Sequence, residues 1–197
     1  MSDRAQTVTL EAVVASLLII AAVAFALQAV AISSNTADVG DAETRAQHSG
    51  IAQGILDRAA ENGQLRTTIV YWDEERQEFL GEPDEDGFFR GTTPNTTFGA
   101  ALESLEQQHR TVNVRLTYLN ETGELASQPL VESGTPPTDA IRVSRTVTLY
   151  EDTPLVDKNE SARENATLAV VEEDFFAPNA APDDHIYNVI RVEVVIW

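Results

Sequence analysis

The stretch Tyr187-Asn188-Val189-Ile190-Arg191-Val192-Glu193-Val194-Val195-Ile196-Trp197 decides the fold. Ile190, Val192, Val194 and Ile196 lie on one face of an extended chain, the period of a strand with one side turned to a core. A segment this apolar aggregates if left as an open edge, so it is expected to be paired inside a sheet. Its partners are legible upstream. In Thr111–Asn120, Val112, Val114, Leu116 and Tyr118 share a face, with Asn113, Arg115 and Thr117 opposite. Asn120-Glu121-Thr122-Gly123 is a turn, and Glu124–Val131 returns as a hairpin partner. In Asp139–Tyr150, Ile141, Val143, Val147 and Leu149 alternate with Arg142, Ser144, Thr146 and Thr148, and Arg145 falls on the apolar side.

Nearer the N-terminus the period changes. Asp41 to about Asn62 is expected to be a helix, with Ile51, Ile55, Leu56 and Ala59 on one face and Gly63 as its C-cap. The β-branched and aromatic run Thr67–Trp72 predicts a strand, followed by a shorter one at Glu78–Leu80. Phe88-Phe89 reads as an edge segment. Thr96 or Thr97 caps a helix predicted over Phe98–His109. Glu151–Asn165 is polar and acidic, Ala166–Val171 a short apolar element, and Ala177–Asp184 a proline-bearing loop.

A second feature governs organisation. Ala12–Ile32 is a continuous apolar run, interrupted by Ser16 and Gln28 and fronted by Glu11. A run of about 20 apolar residues crosses a bilayer as a helix. The expected fold class is therefore α+β: a long N-terminal transmembrane helix, then a small, mainly antiparallel β-sheet head with one short helix. The expected divisions are a polar head at 1–6, the span at 7–33, a polar break and stalk helix at 34–65, and an extracytoplasmic head at 66–197. Arg4 precedes the span and Asp38, Asp41 and Glu43 follow it, so positive-inside logic leaves the N-terminus in the cytoplasm.

The 197 residues carry 32 Asp plus Glu against 13 Lys plus Arg, a net charge of −19, and no cysteine. Such a chain repels phosphate backbones, which excludes nucleic acid as a partner. Lys158 is the one lysine. Acidic, lysine-poor surfaces resemble those of halophilic archaea, where a Debye length of ~3 Å at molar salt quenches self-repulsion.

The block Arg4-Ala5-Gln6-Thr7-Val8-Thr9-Leu10-Glu11, followed at once by the apolar run, resembles the processing region of archaeal type IV pilin-like proteins. That resemblance implies cleavage by a prepilin-type peptidase among Arg4, Ala5, Gln6 and Thr7, with the apolar helix retained. It also implies that Glu11 meets the freed amino terminus of a neighbouring pilin-like subunit during assembly. Glu11 lies five residues after Gln6, one more than the family's usual spacing. The physics is compatible, since an anion beside a helix N-terminus is favoured by about 0.3–1 kcal/mol. Two other readings stand beside it. One is a plain single-pass anchor with Glu11 as an interfacial cap. The other is a removed signal peptide ending near Ala29-Val30-Ala31.

Four N-x-S/T sequons, at Asn95, Asn120, Asn159 and Asn165, fall in expected turns or loops and are candidate glycosylation sites. No catalytic motif is present: His48, His109 and His185 are dispersed, and no P-loop, nucleophile elbow or HExxH occurs. Asp84-Glu85-Asp86-Gly87 lacks the spacing of a calcium loop, and Asp183-Asp184-His185 is likewise read as an acidic turn. No cofactor, metal or catalytic role is expected. The expected function is a pilin-like cell-surface subunit, or a minor component of a type IV pilus-like assembly, in a halophilic archaeon. The alternative is an anchored extracellular binding module with no filament role.

Overall fold

A computed structural model describes residues 46–81, 83–107 and 109–197. Contacts divide the chain into Met1–Gln47 and His48–Trp197. The leader, the span at 7–33 and the polar break from 34 lie outside the described residues. No helix among the described residues is long and apolar enough to cross a membrane.

His48–Trp197 is an α+β unit with a small antiparallel sheet and few helices. Helix α1 is described over 46–61, α2 is Gln64–Ile69 and α3 is Thr97–Glu106. The strands are β1 Trp72–Asp73, β2 Glu78–Phe79, β3 Val112–Leu119, β4 Leu125–Val131, β5 Ile141–Tyr150, β6 Pro154–Val156, β7 Ala162–Thr167 and β8 Ile186–Ile196. The main sheet has the order β4-β3-β8-β5, with antiparallel neighbours throughout. β8 is thus flanked on both sides, as its hydrophobicity required. It faces β3 from Val112↔Ile196 to Thr117↔Arg191 and β5 from Ile141↔Ile196 to Tyr150↔Ile186. β1–β2 and β6–β7 are separate two-stranded ribbons.

The inward positions Val112, Val114, Leu116, Val143, Val147, Ile190, Val192 and Val194 form one hydrophobic cluster with all three helices. α1 contributes Ala52, Leu56 and Ala59, α2 Leu65 and Ile69, and α3 Phe98, Leu102 and Leu105. Burying each large side chain is worth roughly 1.5–3 kcal/mol, so this cluster is the main source of stability. Residues 48–65, assigned to a stalk on sequence, are packed into the same unit as the head. Phe89 forms the expected edge bridge, parallel to Val131.

Several expectations are corrected. Residues 67–69 are helical with Val70 as the C-cap, and only Trp72–Asp73 is extended. Gly63 adopts a left-handed φ of 74°, which ends α1 as expected but also lets α2 start immediately. Leu65, Thr68 and Ile69 then lie at helical spacing and are buried, so packing overrides the β preference of the threonines and isoleucine. Ile51 is 42 % exposed, and Ala52 takes its place on the buried face. α3 stops at Glu106, short of His109. The segment read as merely polar at 151–165 contains β6 and part of β7, and Leu155 and Val156 are buried. Asn165 lies within β7, at φ 64°, rather than in a loop.

Candidate functional site

The processing residues Arg4, Ala5, Gln6 and Thr7 and the assembly residue Glu11 lie outside the described residues. The four sequons can be placed. Asn95 is exposed just before α3, whose N-cap Thr96 accepts a hydrogen bond from the Gly99 N–H at 3.0 Å. Asn159 is exposed in the turn between β6 and β7. The two meet: the Glu160 carboxylate accepts from the Thr97 N–H at 2.9 Å and the Thr97 hydroxyl at 2.5 Å, which joins the 95–97 and 159–161 segments. Asn120 is committed to its own turn, its Oδ1 accepting from the N–H groups of Thr122 and Glu124 and the Thr122 hydroxyl. Asn165 is exposed on β7.

The histidines are not brought together. His48 on α1 contacts the Arg110 guanidinium, whereas His109 and His185 are exposed. Among the described residues no group of acids and histidines could hold a metal ion. In the 84–87 turn, Arg90 fills the place a cation would take, pairing with Asp84 at 2.8 Å and Asp86 at 2.9 Å. Arg145 is inward-facing opposite Val192, yet 46 % exposed, and pairs with Asp57 of α1. That guanidinium, together with Gln53, holds the Asp57 carboxyl below its ordinary range.

The outward face of the main sheet has a different chemistry from the rest of the surface. By register, β3 presents Asn113, Arg115, Thr117 and Leu119, and β8 presents Val189, Arg191, Glu193 and Val195. β5 adds Arg142, Ser144, Thr146 and Thr148, and β4 adds Leu125, Ser127 and Pro129. Three arginines therefore stand with Glu193 as the lone carboxylate on these positions. Arg115 and Arg191 make no ion pair among the described residues. Asn113 staples the following loop, donating to the Gly134 carbonyl at 2.8 Å and accepting from the Ser133 N–H at 2.7 Å. A pocket of about 280 Å³ lies beneath that loop, with Arg115, Arg142, Glu132 and Glu193 in its wall.

Beyond the opposite end of β3, a pocket of about 380 Å³ has aromatic walls and an acidic rim. Tyr118, Phe175 and Phe176 form the walls, with centroids 5.5 Å apart for Tyr118–Phe176 and 4.4 Å for Phe175–Phe176. Glu121, Glu172 and Glu173 form the rim and are exposed. The pocket is held by buried polar contacts. Asn188, 1 % exposed, donates to the Leu119 carbonyl at 2.9 Å and the Pro178 carbonyl at 2.8 Å, and Tyr187 donates to the Ala177 carbonyl at 2.9 Å. Burial pushes the Tyr118 and Tyr187 hydroxyls above their ordinary range, so both remain protonated. Sequence reading missed this pocket. The Phe175-Phe176 pair and the Glu172-Glu173-Asp174 triplet were its visible signals, but Tyr118 and Glu121 come from a distant hairpin.

No curated protein and no solved structure matches this chain. A family profile matches residues 4–196, nearly the whole sequence including the N-terminal block, and the chain therefore belongs to the family of unknown function DUF7288.

Proposed function

We propose that this protein is a pilin-like, membrane-anchored cell-surface subunit, or a minor component, of a type IV pilus-like assembly in a halophilic archaeon. The observation that carries the reading is Glu11 at the front edge of Ala12–Ile32, directly behind Arg4-Ala5-Gln6. The span is single, the N-terminus is cytoplasmic and the head is outside. A prepilin-type peptidase trims the leader, and the retained helix packs against those of other subunits. Ala12, Ala15, Ala22, Ala26 and Ala29 permit close helix approach. In that apolar setting the Glu11 carboxylate needs a cationic partner, and a freed α-amino group supplies one. The α+β unit is the exposed head, and the chain performs no chemistry of its own.

N-terminal mass spectrometry of the native protein tests this. A mature chain beginning at Gln6 or Thr7 is expected. An intact start at Met1 or Ser2 refutes processing and leaves a plain anchor; a start at Ile32 makes the protein a secreted domain. The second reading, an anchored extracellular binding module, is favoured by the two pockets of the head, one lined by arginines and glutamates and the other aromatic with an acidic rim. It predicts monomers in the membrane, where the pilin-like reading predicts assemblies that Glu11→Ala abolishes.

A further inference from the structure

We propose that the outward face of the main sheet is a subunit contact, and that it docks head-to-tail against the acid-rimmed aromatic pocket of a second copy of this chain. The inference rests on the assembly reading above and names the surfaces that reading leaves open.

On a chain of net charge −19, the face carrying Arg115, Arg142 and Arg191 with Glu193 is the exception. It shares two marks of an interface centre, enriched arginine and depleted acids, and carries apolar side chains such as Leu125 and Val189. Leu125 is 76 % exposed and Val189 39 %, which leaves apolar area without cover in the isolated unit. The complementary surface is on the same molecule. A guanidinium is planar and weakly hydrated, so it stacks on aromatic faces while donating to carboxylates. Phe176 and Tyr118, both half-buried, offer the faces, and Glu121, Glu172 and Glu173 the carboxylates.

Geometry sets the mode of association. The two surfaces lie on different parts of the molecule, Arg115 and Arg191 on the outward sheet face and Glu121 in the turn beyond the end of β3. Two different surfaces joined this way make a heterologous contact, which repeats into a ring or an open helical filament instead of closing as a two-fold dimer. The face spans four strands by about six residues, roughly 400 Å², against about 800 Å² per partner in a standard stable interface. Head docking therefore holds only between copies already tethered side by side, where effective concentration replaces affinity.

The chain has no cysteine, so introduced thiols report contacts cleanly. Full-length Thr117→Cys and Glu173→Cys chains are co-expressed in native membranes at molar salt and treated with a short bismaleimide. The expected result is a mixed dimer at least tenfold above the homodimer yield of either chain alone. Arg115→Glu with Arg191→Glu in the first chain should cut that yield at least tenfold, and Glu172→Arg in the second should restore it. Cross-linking of Thr117→Cys chiefly to itself, or to an unrelated acidic protein, overturns the proposal. So does full yield with both arginines reversed. Ala15→Cys is the control for assembly through the N-terminal helix. If it cross-links and the head pair does not, the docking proposal is wrong and the assembly reading stands. If it gives no dimer, the assembly reading fails and this contact with it.

Discussion

Replacing Gly99 with alanine is expected to destabilise the head, against the ordinary rule for a helical glycine. Gly99 lies inside α3, where alanine is favoured over glycine by about 1 kcal/mol. A methyl group there would sit 1.9 Å from the Pro94 carbonyl oxygen, 3.0 Å from its carbon and 3.3 Å from Pro94 Cγ. Relief requires a shift of more than an ångström by backbone that is already committed. Pro94 O accepts from the Thr96 N–H at 2.7 Å, and the Thr96 hydroxyl accepts from the Gly99 N–H. Overpacking of this kind costs about 1–3 kcal/mol, and disturbing the cap about 1 kcal/mol more. Set against the propensity gain, the net is a loss of about 2 kcal/mol. Gly50 and Gly54 of α1 are the internal controls: an added Cβ meets nothing within 4 Å, so alanine there should stabilise by up to about 1 kcal/mol. Denaturant unfolding of the full chain at molar salt, followed by fluorescence of the buried Trp72, measures all three. A neutral or stabilising Gly99→Ala would refute the close approach of the 94–96 turn to α3.

Asn188→Ala removes the donors to the Leu119 and Pro178 carbonyls, and at about 1–1.5 kcal/mol per buried bond should cost about 2–3 kcal/mol in the same assay. It should also increase amide exchange at Asn120–Thr122 and around Pro178 before other regions, because these bonds hold the aromatic pocket. Acid sensitivity follows from Glu74, whose carboxyl is held below its usual 4.5 by hydrogen bonds from the Arg163 guanidinium. The unfolded chain then binds that proton more readily, so the contribution is complete above about pH 4.5 and is lost as pH falls through the lowered folded value. At molar salt, where global repulsion is screened, Glu74→Gln should flatten the acid limb of the stability curve. An unchanged limb would show that the Arg163 pairing carries no weight.

The main sheet was legible because its strands are half-buried: β3, β5 and β8 carry a clean two-residue period, and only an outer solvated face produces one. The hairpin at Asn120–Gly123 was legible from its turn chemistry, and Gly123 indeed adopts φ 77°. α2 was not, because four residues of β-branched sequence are weaker than a hydrophobic core that demands helical spacing at Leu65, Thr68 and Ile69. The β6–β7 ribbon hid because Ala162–Thr167 has almost no apolar side chain to set a period. Arg145 looked misplaced on an apolar face; it pairs there with Asp57 of α1. Of the candidate sites, the sequons were visible as motifs, but the Glu160 bridge between two of them was not. The two pockets join residues dozens of positions apart, and no local pattern encodes that.

The central place of β8 has a consequence for biogenesis. β3 and β5 never touch as neighbours; each is held by a strand made after both of them. A nascent chain that has emerged as far as Tyr150 therefore carries a β3–β4 hairpin and a lone β5, each with an open edge and an uncovered apolar face. Sheet completion waits for sequence-distant pairing, the slow class of folding event. The sheet therefore stays incomplete until β8 has been made. Premature termination anywhere before Ile186 would leave a product that cannot close its sheet, with the edges of β3 and β5 open to proteolysis and aggregation.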